Sequence, residues 1–281
     1  MLSRMKLYND FTMDARGLLR SPMPLPQRVA LACSDRTGGP QGGYSSGAYQ
    51  SLNLGLHVGD DATCVERNRA AFQAALGVRA VYLEQVHGVA AIELTQSTPH
   101  GVVADVAWTT QPGLACTVMV ADCLPVLLWN QDGSCVAAAH AGWRGLLGSN
   151  GVGVLEQALA CMGGPATAVS AWLGPCIGPA AFEVGDELRD AFMHAASPGP
   201  SAVADAFTPL TVGGSRVPGK WLADLPGLAR RRLAALGVQG VHGNDGSLPW
   251  CTVSQPSRFF SHRRDRVSGR QAAAIWLSAG G

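Results

Sequence analysis

Three short segments each set one histidine or cysteine where an apolar run gives way to a turn. They are LEQVHG at 83–88, ADCLP at 121–125 and AAHAGWRG at 138–145. A side chain at a strand end is aimed by a rigid scaffold yet sits at a sheet rim, where a ligand can reach it. If the three strands are neighbours, His87, Cys123 and His140 converge. Two imidazoles and one thiolate suit Zn²⁺, with copper as the competitor. Three protein ligands leave a fourth position open, the catalytic rather than the structural zinc pattern. The same residues support a different chemistry, with Cys123 as nucleophile and His140 as its base. Metal content separates the two, because a thiolate held by an ion is not free to attack. The bland alternative is a buried thiol and two hydrogen-bonded histidines.

Further candidates surround these segments. Gly142, Gly145 and Gly148 flank Trp143 and Arg144 just ahead of a helical pattern at 151–162. A glycine-rich turn entering a helix offers N–H groups to an anion, and Arg144 adds a forked donor. SHRRD at 261–265 offers Arg263 to a phosphate, against the commoner reading of a solvated charge run. In LNLGLHVGDD at 52–61, Asn53 can meet a ligand or serve its own turn. Asp60 or Asp61 suits a helix N-cap. Asp122, Glu84 and Asp105 are candidate proton carriers.

The elements that must position these residues alternate between two periodicities. Strands are expected at 28–33, 80–86, 102–108, 114–120, 125–129, 135–140 and 169–173. Helices are expected at 62–76, 151–162, 184–194 and 221–236, and 272–277 is a short apolar run of either kind. Residues 195–218 read as a long loop. The central strands are joined by turns too short for helical crossovers, such as 111–113 and 130–133. That predicts an α+β fold with much antiparallel pairing and helices on the outer faces.

The whole chain has 281 residues, 15% of them charged, with a net charge of +1. Without a basic excess it is a poor partner for nucleic acid. The first twenty residues lack a continuous apolar stretch, and no run reaches the length of a membrane span. A cytoplasmic location and no membrane partner are expected. The eight cysteines include no C-x-x-C pair and read as reduced thiols.

Taken together, LNLGLHVGDD with Asn68-Arg69, LEQVHG, ADCLPVLL, AAHAGWRGL, LGPCIGPAAFEVGDEL, and FFSHRRD with Gly269-Arg270 resemble the bacterial YfiH-like family. These are also called multicopper polyphenol oxidase or laccase-domain proteins. The family includes purine nucleoside phosphorylases and peptidoglycan editing factors. The likeness runs from about Pro26 to the C-terminus. The Ala32-Cys33-Ser34-Asp35-Arg36 run departs from the Thr-Thr-Arg type. It implies a four-layer α/β/β/α sandwich of mixed, largely antiparallel sheets. One such domain is expected over 26–281, behind a loosely ordered extension over 1–25.

The resemblance also implies a mononuclear zinc, with copper possible, on His87, Cys123 and His140. Arg144, Asn53, Gln85 and Arg263 are then the candidate substrate- and phosphate-binding residues. The activity it favours is phosphorolysis of adenosine, inosine and methylthioadenosine to free base and ribose 1-phosphate, with adenosine deamination as a companion. The alternatives are a metal- or cysteine-dependent hydrolase of a cytoplasmic peptidoglycan precursor, and a copper-dependent polyphenol oxidase. Seven histidines are few for several copper centres.

Overall fold

The computed structural model describes residues 11–195 and 199–279. In chain order the strands are β1 (Thr12–Met13), β2 (Leu18–Arg20), β3 (Val29–Ser34), β4 (Arg79–Tyr82), β5 (Ala91–Glu93), β6 (Val106–Thr109), β7 (Leu114–Val120), β8 (Leu124–Asn130), β9 (Val136–Ala141), β10 (Val169–Leu173), β11 (Glu183–Gly185), β12 (Phe207–Val212), β13 (Ser215–Ala223), β14 (Gly240–Gly243) and β15 (Gln271–Leu277). The α-helices are α1 (Ala62–Leu76), α2 (Trp143–Leu147), α3 (Val154–Met162), α4 (Asp186–Met193), α5 (Pro200–Val203), α6 (Leu225–Ala235) and α7 (His262–Asp265).

Two six-stranded sheets carry the molecule, in the orders β1-β2-β3-β15-β7-β4 and β14-β10-β8-β9-β6-β5. Among the named strands of the described residues, only β4 with β7, β5 with β6 and β10 with β14 pair in parallel. Their facing sides share one core. Leu31, Val118 and Ile275 of the first sheet meet Leu127, Ala138 and Trp172 of the second. The outer face of the first sheet is covered by α1, through Phe72 and Leu76. The outer face of the second lies under α3, α4 and α6, through Leu155, Phe192 and Leu233. These are the four layers α/β/β/α. Strands buried on both faces read as continuous apolar runs, as β7, β9 and β15 do.

The start of the chain differs from expectation. Of the segment expected as a loosely ordered extension, Leu18–Arg20 pairs with β3, and Leu18, Leu19 and Met23 are buried. Three apolar side chains find sheet and core positions there, which overrides the mixed composition; residues 1–10 lie outside the described residues. The expected loop at 195–218 is also replaced where it is described. Its second half forms the β12–β13 hairpin, closed at Gly213-Gly214, both with positive φ, between the paired Val212 and Ser215. The expected helices at 184–194 and 221–236 each begin later. Their first residues are strand, and helix starts only after Gly185 and after Asp224, whose side chain accepts from the Gly227 N–H. No helix of the described residues is long and apolar enough to cross a membrane.

Candidate metal centre

Strand register brings the three candidate ligands together. Leu124 pairs with Ala141, and Pro125 with His140, so the turn holding Cys123 lies beside the end of β9. Cys123 follows Asp122, whose φ of 91° marks a tight reversal between β7 and β8. His87 sits on the loop after β4, also at positive φ, 61°. The ligand atoms of His87, Cys123 and His140 all lie within 4.8 Å of one another. Cys123 Sγ is 3.7 Å from His87 Nε2, and the two imidazoles meet edge to face at 4.7 Å between centroids. His140 is buried, Cys123 half-buried and His87 exposed, so the group opens outward.

Asp105 organises this group from below. It is fully buried one step beyond the Val106–Ala139 pair. Its Oδ1 accepts from His140 Nδ1 at 2.8 Å and from the His87 N–H at 3.0 Å. Its Oδ2 accepts from the N–H groups of Gly88 at 2.7 Å and Val86 at 3.3 Å. One carboxylate therefore fixes the His87 loop and the ring of His140. Since a carboxylate only accepts, Nδ1 carries the proton and Nε2 is left to coordinate. Burial opposes the charge on Asp105, but His140 and these N–H donors outweigh it and hold the carboxyl below its usual value. Burial likewise pushes the Cys123 thiol up, yet the charge and hydrogen bonds of His140 and His87 bring it down to about 6. His140 goes the other way, raised against burial to about 9 by Cys123 and Asp105.

A cavity of about 440 Å³ opens above the three residues. Arg144, Arg263, Arg266 and Arg270 line it, with the aromatic side chains of Trp143 and Phe182. Of the substrate candidates, Gln85, Arg144 and Arg263 reach this lining. The Gln85 amide is committed to the backbone of Met119, donating at 2.9 Å and accepting at 2.8 Å. Arg144 lies over the Trp143 ring, and Arg263 donates to the Glu183 carbonyl. Asn53 does not reach the cavity. It is wholly buried, and its Oδ1 accepts from the Gly55 and Arg270 N–H groups. In the structure it supports the backbone of Arg270. Of the proton-carrier candidates, Asp122 has its oxygens taken by Thr252 Oγ1 and the Arg263 N–H, both at 2.6 Å. Asp105 lies beneath the site, and exposed Glu84 is outside the lining.

His57, Arg266 and Arg270 line the cavity without having been singled out from sequence. For Arg270 the signal was present in the Gly269-Arg270 pair. Asp105 carried a signal too: a lone carboxylate inside VVADVAW must find donors when buried.

Comparison with known proteins gives the family of the chain. The family model described as multi-copper polyphenol oxidoreductase laccase matches residues 32–278. The chain belongs to that laccase-domain, or YfiH, family. A relative from Pseudomonas aeruginosa, named purine nucleoside phosphorylase, is 46% identical over 90% of this chain and 96% of its own. YfiH of Escherichia coli, given the same enzyme name, is 45% identical with the same coverage. A solved Neisseria meningitidis structure superposes with a TM-score of 0.83 at 42% identity, covering 94% of this chain and all of that one. The laccase-domain fold is thus the four-layer sandwich described above, with its mixed sheets.

Proposed function

We propose that the protein is a zinc-dependent purine nucleoside phosphorylase. It takes adenosine, inosine or methylthioadenosine with inorganic phosphate to free base and (methylthio)ribose 1-phosphate, and adenosine deamination accompanies this. The observation that carries the reading is a two-imidazole, one-thiolate group opening directly into an arginine-lined cavity. The close relatives bearing the phosphorylase name support it.

The donor set fits zinc. The thiol of Cys123 is already drawn toward its anionic form, His140 has its Nδ1 held by Asp105 so that Nε2 is its ligand atom, and Asp105 supplies the carboxylate that metal-bound histidines commonly lean on. His87, Cys123 and His140 would hold the ion, which when bound supplies a Lewis acid beside the substrate. Copper fits the same donors. Among the described residues only this one group of histidines, cysteines and acids gathers close enough for an ion, which favours one metal over the several of a phenol oxidase.

The chain's own residues do the rest. Arg144 and Arg263 bind phosphate by charge and forked hydrogen bonding. Trp143 and Phe182 give the purine an apolar face to lie against. Held together, phosphate and nucleoside react as neighbours: a phosphate oxygen bonds to C1′ as the C1′–N9 bond breaks toward the base. Asp122 fixes the backbone of Arg263 and Asp105 fixes His140, so neither element reorganises during the reaction.

The test is base release from adenosine, inosine and methylthioadenosine, with and without phosphate, on protein of measured zinc and copper content. Phosphate-dependent release that follows zinc supports the reading. Active-metal protein that releases no base from any of the three overturns it.

A further inference from the structure

Arg266 closes helix α7 with φ 62° and ψ −60°. Around it the Val267 N–H donates to the Asp265 carbonyl at 2.7 Å. Those dihedrals and that three-residue ring make a classic γ-turn, the rare and strained member of its class. Glycine adopts such a backbone freely, whereas a side chain there costs stability.

Among the described residues nothing offsets that cost through the guanidinium. Its neighbours are anchored: Arg263 on the Glu183 carbonyl, Arg264 on Thr252 and Asp265, Arg270 on Ser268 and Gly269. Arg266 is exposed, and among the described residues its side chain donates to no carbonyl or carboxylate. It lines the cavity with Arg144, Arg263 and Arg270. The one carboxylate in that lining, Asp122, is already committed to Thr252 and the Arg263 backbone. The wall therefore carries four arginines against one carboxylate, and among the described residues Arg266, like Arg144, donates to no carbonyl or carboxylate, while Arg266 alone of the four sits on a strained backbone.

We infer that Arg266 is a specificity-determining residue that receives a phosphoryl group at the cavity mouth. Two sources present that group: inorganic phosphate as co-substrate, or the 5′-phosphate of a purine nucleoside monophosphate. The inference deepens the phosphorylase reading and rests on it for the choice of ligands. Its test reads binding, so that the two fail separately.

The experiment is calorimetric titration of the full-length protein with inorganic phosphate, AMP and adenosine. Wild type is compared with Arg266→Gly and Arg266→Lys, and the thermal midpoint of each is recorded. Arg266→Gly is expected to weaken at least one phosphoryl ligand by about 10- to 100-fold, the range of a charged hydrogen bond. Adenosine binding is expected to stay unchanged, and the midpoint to equal or exceed wild type because the turn relaxes. Arg266→Lys is expected to recover part of the loss. Loss for AMP alone identifies the nucleotide phosphate, and loss for inorganic phosphate identifies the co-substrate. Undiminished binding of both by folded Arg266→Gly overturns the inference, as does an equal loss for adenosine or a wild type that binds neither. Absent turnover with Arg266-dependent binding intact would overturn only the reaction.

Discussion

Asp105 and His140 are joined twice. The Asp105 carbonyl accepts the His140 backbone N–H at 2.8 Å, and its carboxylate accepts the ring Nδ1–H at the same distance. The first bond continues the β6–β9 ladder, and the second sets the imidazole within it. The ring that would face an ion is therefore held by sheet register and by a buried charge together.

Asp105→Ala should remove the second bond while leaving the first. It also strips the Val86, His87 and Gly88 N–H groups of their acceptor, so the loop bearing His87 loosens as well. Loss of such a supporting partner typically lowers metal affinity by about 10- to 100-fold. Competition between the protein and a chromophoric zinc chelator measures this directly. Affinity equal to wild type in the folded variant would show that Asp105 does not orient the ligand.

Gly142 yields a narrower perturbation. It stands across from Cys123, and a Cβ built there meets Cys123 Sγ at 3.0 Å and His87 Cδ2 at 3.1 Å. Its own φ, −62°, suits any residue, so alanine brings no backbone strain. Gly142→Ala should push two ligands apart by a few tenths of an ångström at little cost in stability. Displacements of this order can lower turnover roughly tenfold or more. The expected signature is weakened zinc retention and activity with an unchanged melting midpoint; a fall in the midpoint with normal zinc retention would refute it.

How much of this was legible in the sequence depends on which force set each feature. Helix α1 and strands β7 and β10 fall on their expected bounds, because long apolar runs and an Asp61 N-cap define them locally. The β12–β13 hairpin was missed because much of it is solvent-facing, so few of its positions are buried and apolar. Spacings of 36 and 17 residues said nothing about whether His87, Cys123 and His140 meet. The β8–β9 register decides that, and it is a tertiary property. For Asn53 the sequence left two roles open, a ligand contact or service to its own turn; its burial and its bond to the Gly55 N–H show the second. The γ-turn at Arg266 arises where a four-residue helix ends, which no periodicity reports.

Asn53 links helix α1 to the cavity wall. Its carbonyl accepts from Asn68 Nδ2 at 2.8 Å, its Oδ1 accepts from the Arg270 N–H at 2.8 Å, and its Nδ2 donates to Asp60 Oδ2 at 2.9 Å. Asn53→Ala should cost about 1–3 kcal/mol, since buried groups lose their partners. Asn53→Asp is closer in shape but should cost at least as much. It replaces the donor facing Asp60 with a second carboxylate oxygen, and burying an unpaired charge is the larger penalty. Urea denaturation of the two variants ranks them. An aspartate variant more stable than the alanine one would mean that Nδ2 contributes little.

Arg232 supports the opposite wall. Its guanidinium is almost wholly buried and meets Glu156 at 2.6 Å, while also donating to the Leu147 and Gly151 carbonyls. It thereby clips α6 to the end of α2, the short helix that carries Trp143 and Arg144. Glu156 in turn accepts the Gly153 N–H at the start of α3. Arg232→Met keeps most of the side-chain volume but leaves Glu156 without its cation, and breaking a buried pair from one side typically costs about 3–5 kcal/mol. Replacing both, as Arg232→Met with Glu156→Gln, removes the stranded charge and should recover part of that loss. A double-mutant cycle followed by thermal denaturation reads the coupling, and additive losses would show that the pair contributes nothing as a pair. Because neither residue lines the cavity, folded single variants should retain zinc, while any fall in phosphate affinity would report that α2 had shifted and carried Arg144 with it.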